Sequence, residues 1–412
     1  MFVGKSSAVM AVMMMMSCMN TGSMAFMVSR ATDQKLSTAL NAASALIVQN
    51  KGGGHGELGY QLAQVLLNEY AEKISSVTIL QDDACKDESE PFASYATDLP
   101  TVNVIKAPLS SDDGMTAESL QQVLGDGQSF DYVWDNASKG PVGSGKAICD
   151  CCKEWDTKLL TYVSSAGMYQ PTPDTTFPME EGTTPIKESA GQHLYDVYAS
   201  EELGLPYVSF RPQYIYGSKS NKYDYLDWYF DRLVRDLPLP IPSPGTQKVS
   251  LTNSKDVASL LSSVLNNEAA AIEQRYFNCG TDQLLTYDEV AYLCAEAAGV
   301  DKDNVYIEHY NADTFGKANF PFRMTDFYVA PDTAKKVLGW EGPKHSLKED
   351  LNEWYYSQYA NQRDGPNKPM KNLSKDWEIV VGSKTHEVDG SIYQKYDPIT
   401  IDFSNVKELN VE

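Results

Sequence analysis

Ala45-Leu46-Ile47-Val48-Gln49-Asn50-Lys51-Gly52-Gly53-Gly54-His55-Gly56-Glu57-Leu58-Gly59 is the stretch whose reading decides the fold. Its first four residues form an apolar run of strand length. After the glycines, Leu58, Leu62, Val65 and Leu66 recur at helical spacing. Gly53, Gly56 and Gly59 therefore make G-x-x-G-x-x-G between a strand and a helix. Glycine there lets the backbone approach a pyrophosphate, whose charge is stabilised by free N–H groups and the helix dipole. Glycines also serve tight turns, so the strand-loop-helix setting carries the nucleotide-binding signal. The cofactor candidates are Gly53, Gly54, His55, Gly56 and Gly59, with Asp82 at the end of the next strand for a ribose hydroxyl. Asp82 and Asp83 also lie beside Asp87, Glu88 and Glu90, which reads equally as a solvated acidic loop. His55 is open to three readings: phosphate contact, metal ligand or turn cap.

Outward from this stretch the pattern repeats. Val77-Thr78-Ile79-Leu80, Val102-Asn103-Val104-Ile105, Tyr132-Val133-Trp134 and Leu160-Thr161-Tyr162-Val163 read as strands separated by helical segments. That alternation predicts an α/β fold with a Rossmann-like, doubly wound parallel sheet. From Pro206 the chain turns aromatic and then proline-rich, which predicts a smaller C-terminal lobe. The expected division is a leader over 1–36, a nucleotide-binding core over 37–205, and the remaining core segments plus the small lobe over 206–360. A polar tail follows over 361–412, with a short strand at Trp377–Val381.

The leader has Lys5 before an apolar run from Ala8 to Met16, too short to span a bilayer but right for a signal peptide. A basic, hydroxylated stretch follows (Ser29, Arg30, Thr32, Lys35). The combination resembles the two-part leader of proteins sent to plastids bounded by extra membranes, and Ser23-Met24-Ala25-Phe26 resembles its junction. Plain secretion is the other reading. No later apolar run is long enough to cross a membrane, so no membrane partner is expected. Among 412 residues, 34 Lys plus Arg face 56 Asp plus Glu, a formal charge of −22. That excess works against non-specific binding to nucleic acid or anionic lipid, so any nucleic-acid contact needs a local basic patch. Seven cysteines make no disulfide scaffold, and Cys149-Asp150-Cys151-Cys152 reads as core packing, with a thiol switch as the other reading.

Ser164-Ser165-Ala166-Gly167-Met168-Tyr169 resembles the Ser-Ser-x-x-x-Tyr segment of extended short-chain dehydrogenases and sugar epimerases. Arg211-Pro212-Gln213-Tyr214-Ile215-Tyr216-Gly217 resembles their Arg-Pro-x-x-x-Tyr-Gly strand. The resemblance implies that Ser165 orients a substrate hydroxyl and that a Tyr-x-x-x-Lys pair moves the proton. That pairing needs a cation four residues after the phenol, on the same helix face. No tyrosine here is followed by lysine at that spacing. Aligned through Glu201, His193 takes the tyrosine position and Val197 the lysine position. His193 is then an acid or base of altered mechanism, or a structural helix residue.

A wider set of segments is similar to the chloroplast stem-loop-binding proteins, a branch of the same superfamily. They include Gly53-Gly54-His55, Asp135-Asn136, Ser164 through Thr172, Lys187-Glu188-Ser189-Ala190-Gly191, Trp228-Tyr229-Phe230-Asp231-Arg232, Pro240-Ile241-Pro242, Phe320-Pro321-Phe322-Arg323 and Val337-Leu338-Gly339-Trp340. The resemblance implies a plastid stromal location, RNA stem-loops as partner, and in one branch a metal-dependent endoribonuclease. It adds Asn136 to the cofactor set of an NAD(P) site, functional or vestigial. Asp135 is the metal candidate, for Mg2+, with Glu188 and His193 beside it as catalytic candidates together with Ser165. Between Pro206 and Leu260, Arg211, Lys219, Lys222, Arg232, Arg235, Lys248 and Lys255 stand against five aspartates among many tyrosines. Cations for phosphates and rings for stacking suit a reader of single strands or loops. The RNA-binding candidates are Arg211, Arg232, Arg235, Lys248 and Arg323. Three functions follow: a plastid RNA-binding protein in RNA stability or processing, a nucleotide-sugar epimerase or reductase of altered dyad, and a non-catalytic scaffold in a plastid ribosome or nucleoid assembly. A homo-oligomer fits each.

Overall fold

The computed structural model describes residues 43–52, 57–110, 114–370 and 373–383; the stretch expected to be a leader and the chain beyond 383 lie outside them. Six strands come first: β1 (Ala43–Gln49), β2 (Ile74–Asp82), β3 (Asn103–Ala107), β4 (Tyr132–Asn136), β5 (Leu159–Val163) and β6 (Tyr207–Pro212). With β7 (Tyr276–Cys279) they form one sheet in the order β3-β2-β1-β4-β5-β6-β7, every neighbouring pair parallel. Ala45, Leu46, Ile47 and Val48 are wholly buried, as a strand covered on both faces requires. Successive side chains point to opposite faces. Ala45 and Ile47 join the core under α1 (Leu58–Glu69), whereas Leu46 and Val48 join the core with residues of α2 (Ala117–Leu124) and α3 (Ser144–Glu154). Cys149, Cys151 and Cys152 are buried free thiols of that second core.

Strand order reverses between β1 and β4, which opens a crevice beyond their C-terminal ends. α4 (Gly191–Val197) runs on into a wider π turn over Tyr198–Glu202 and precedes β6. After β6 the chain alternates between the sheet and a second lobe. That lobe packs α5 (Asp224–Leu233) with strand Leu239–Pro242, the helix Tyr287–Ala298 and the aromatic residues Phe320, Phe322, Tyr355 and Tyr359.

The expected strand at Trp377–Val381 is instead part of a helix, Leu373–Ser383. Leu373, Asp376, Ile379 and Val380 are its buried residues, a spacing of three and four that belongs to a helix face. Arg232 reaches the buried Asp376 and ties this helix to the small lobe. Among the described residues no helix is long and apolar enough to cross a membrane.

Candidate functional site

Register places Gln49 beside both Gln81 and Asn136 at the C-terminal ends of the three central strands. Gln49 Oε1 accepts the Gly59 N–H at 2.8 Å and the Asn136 side-chain amide at 2.9 Å. A Cβ at Gly59 would stand 2.1 Å from that oxygen, so the third glycine of the motif makes room for Gln49. Asn50 links the same floor, donating to the Asn136 carbonyl and accepting from the Gly52 N–H. Gly53, Gly54, His55 and Gly56 lie outside the described residues. Glu57, just before α1, is buried against Gly217 and Gln61, and burial pushes its carboxyl above the usual range. Asp82 does not present a bare carboxylate to a ribose. It is buried, accepts the Ala84 N–H at 3.1 Å and takes the Ser110 hydroxyl, so it holds its own loop.

Asp135 is also placed differently from expectation. It is wholly buried; Oδ1 accepts the Ala137 and Ser138 N–H groups, each at 3.0 Å, and Oδ2 accepts the Tyr195 hydroxyl at 2.7 Å. Burial raises its pKa above the carboxylate norm. With three of its roughly four acceptor sites taken and its side chain wholly buried, Asp135 anchors α4 to β4 and does not face an open site. Among the described residues no group of three or more His, Cys, Asp or Glu is placed to hold a metal ion, so the Mg2+ expectation finds no ligand set there.

The three catalytic candidates do not assemble. Ser165 caps a short turn by accepting the Gly167 N–H at 3.0 Å. Glu188 is exposed in the loop before α4, and His193 is half-buried on α4. No hydrogen bond joins any two of them among the described residues. On the buried side of α4, Asp196 accepts the Tyr207 hydroxyl at 2.7 Å and lies 3.8 Å from Arg211. A lysine does meet a tyrosine nearby, but Lys146 and Tyr198, 2.8 Å apart, form an outer cluster with Asp150. Among the described residues the dehydrogenase relay is thus absent in three dimensions as well as in sequence. Were NAD(P) bound, it would supply hydride transfer, but the residues at the relay positions, His193 and Val197, do not provide the phenol and ammonium that this chemistry uses.

The arginines expected at an RNA surface are mostly internal. Arg211 is buried between the Tyr169 and Tyr276 rings and donates to the Tyr169 hydroxyl. Arg232 is 2% exposed, stacked 3.9 Å from the Trp228 ring centroid and paired with Asp376. Arg235 is spent on the carbonyls of Gly365, Pro366 and Lys368. These three hold the fold together and are corrected from surface contacts to structural ones. Lys248 and Arg323 are exposed.

Arg323 stands in a cleft of about 1440 Å³ in the small lobe, between α5 and the segment 317–325. Lys222 and Lys317 line it too. Partial burial, then the charges of Arg323 and Lys222, hold the Lys317 ammonium below its usual pKa. Arg323 also reaches the Gly167 carbonyl at 3.3 Å, joining the cleft to the Ser165 turn. Sequence reasoning missed Lys317. Its only signal was its place three residues before Phe320-Pro321-Phe322-Arg323.

Residues 52–280 match the model of the NAD dependent epimerase/dehydratase family. A curated relative, the chloroplast stem-loop binding protein of 41 kDa b from Arabidopsis thaliana, is 34% identical over 197 residues, 47% of this chain and 50% of that protein. The chain therefore matches about half the length of that relative. Among solved structures, dTDP-glucose 4,6-dehydratase of Bacillus anthracis in complex with NAD superposes with a TM-score of 0.59 at 16% identity, over 78% of this chain and 98% of that one. UDP-glucose 4-epimerase of Thermus thermophilus, also with NAD, gives 0.55 at 18% identity, over 76% and 97%. At these identities the likeness is one of fold.

Proposed function

This chain belongs to the NAD dependent epimerase/dehydratase family, and we propose that it uses that fold to bind RNA in a plastid, in RNA stability or processing. The observation that carries the reading is the helix α4, where His193 and Val197 occupy the relay positions in a chain whose curated relative is a stem-loop binding protein. The net charge of −22 requires the contact to be local, and the cleft with Lys222, Lys317 and Arg323 offers such a place. Plastid location rests on the leader and on the relative's chloroplastic name. Stem-loop cleavage by a metal-dependent endoribonuclease, and a scaffold role in a ribosome or nucleoid assembly, are finer versions that share the same RNA contact.

The test incubates the mature protein with a labelled stem-loop transcript, with Mg2+ or with chelator. Binding in both conditions is expected. Cleavage confined to Mg2+ assigns the nuclease, and binding without cleavage assigns the scaffold. No binding in either condition overturns the RNA reading. An epimerase or reductase of altered dyad is favoured by the NAD-bound fold relatives. It would announce itself as turnover at the reduced-nicotinamide absorbance band with nucleotide sugars.

A further inference from the structure

Lys222, Lys317 and Arg323 meet in one cleft, and none of the three takes part in an ion pair among the described residues. Three neighbouring cations without a carboxylate partner among the described residues, in a chain of charge −22, repel one another, and that repulsion adds to partial burial in lowering the Lys317 pKa. An anion seated among them would relieve that repulsion. The wall beneath carries an unsatisfied buried group: Trp228, 8% exposed and lining the cleft, has an indole N–H without an acceptor. Tyr214, at the edge of the same cleft, is held at φ 39°, a left-handed conformation costly for a bulky residue, and its hydroxyl accepts the Arg323 N–H at 3.1 Å.

The opposite wall has the opposite charge. Asp224, Asp227 and Asp231 share one face of α5 and line the cleft. Asp227 is engaged by Arg363 at 2.7 Å and by the Tyr355 hydroxyl at 2.9 Å, and Asp231 by the Tyr359 hydroxyl at 2.8 Å. Asp224 is exposed. A duplex laid across the cleft would bring phosphates against these carboxylates. An unpaired nucleotide presents one phosphate to one side and a base edge to the other, where amino groups of adenine, cytosine or guanine donate to a carboxylate. The volume of about 1440 Å³ exceeds the roughly 300–1,000 Å³ of ordinary small-molecule pockets.

Resting on the RNA reading above, we propose that this cleft takes unpaired nucleotides of an RNA loop, with phosphate on the Lys222, Lys317 and Arg323 side and base edge toward Asp224. The cleft reads the loop and leaves the stem outside.

The experiment uses the full mature chain and two RNAs, a labelled stem-loop and a blunt duplex of the same stem, over a salt series. The wild type should prefer the stem-loop. Lys317→Ala and Arg323→Ala should each weaken stem-loop binding several-fold and lower the slope of log affinity against log salt by about 0.7, as for one lost single-strand phosphate contact. Asp224→Asn should change the preference among loop bases and leave the slope unchanged. Lys336→Ala, exposed and outside the cleft, should match wild type. Thermal melts of each variant establish that it folds. If wild type binds the stem-loop and both cation variants bind it with unchanged affinity and slope, the cleft assignment fails while the RNA reading stands. Equal affinity for stem-loop and duplex also overturns it. If wild type binds neither RNA, the RNA reading itself has failed.

Discussion

Arg232 Nη2 lies 2.7 Å from Asp376 Oδ2, both side chains almost fully buried, and this pair fastens the helix Leu373–Ser383 to α5 across 144 residues of sequence. Removing one partner of a buried ion pair strands the other charge, whereas replacing both by apolar groups of similar size is often neutral. Asp376→Ala should therefore cost about 3–5 kcal/mol, and the double variant Arg232→Met with Asp376→Leu should recover most of it. Urea denaturation midpoints measure both. An unchanged midpoint for Asp376→Ala would show that the helix is held by its apolar face alone.

His345 Nδ1 lies 2.8 Å from Asp256 Oδ1, and that hydrogen bond raises the imidazole pKa above its usual value. The imidazolium is the bonded form, so its stabilisation is full below the unfolded pKa of about 6.5 and disappears as pH rises through the higher folded value. His345→Gln should cost about 1 kcal/mol in mildly acid solution, and the two proteins should converge at alkaline pH. A stability difference that does not change with pH would remove the charged pair from the account.

At Gly59 an added methyl would collide with the Gln49 oxygen that the Gly59 and Asn136 N–H groups hold in place. Gly59→Ala should destabilise by about 1–3 kcal/mol, the range for overpacking a well-filled site. Adding Gln49→Ala should return part of the loss. Thermal unfolding of the three variants separates this clash from a simple change in helix propensity, because alanine favours the helix and would stabilise it.

The relay positions make a prediction of a different kind. His193→Tyr with Val197→Lys restores the spacing of a proton relay at the crevice. Phosphate contacts release counterions and a crevice proton relay does not, so RNA affinity and its salt slope should stay near wild type. A salt series with the labelled stem-loop checks this. A drop in affinity comparable to Lys317→Ala would place RNA over α4 instead of the small-lobe cleft.

Much of the fold was legible because its signals are local. Ala45 to Val48 is apolar on both faces, the glycines follow at once, and helical spacing resumes at Leu58, so strand, turn and helix can be read within fifteen residues. The lost relay was equally legible, since a spacing of four along one helix needs no knowledge of any other segment. The helix at Leu373–Ser383 was hidden because its apolar face is sparse and shared with Asp376, whose burial depends on Arg232.

The candidate site divides along the same line. The sequence alone determined an α/β fold with a doubly wound parallel sheet, an acidic chain, and a basic, aromatic segment after Pro206. Only the tertiary structure decided which cations face solvent. Arg211 and Arg232 sit in the same basic stretch as Lys222, yet Asp196 and Tyr169 bury the first and Asp376 buries the second, while Lys317 and Arg323 arrive beside Lys222 from about a hundred residues away. A charge is free to bind a ligand only when the fold leaves it unpaired, and pairing is set by distance in space, which spacing along the chain does not encode.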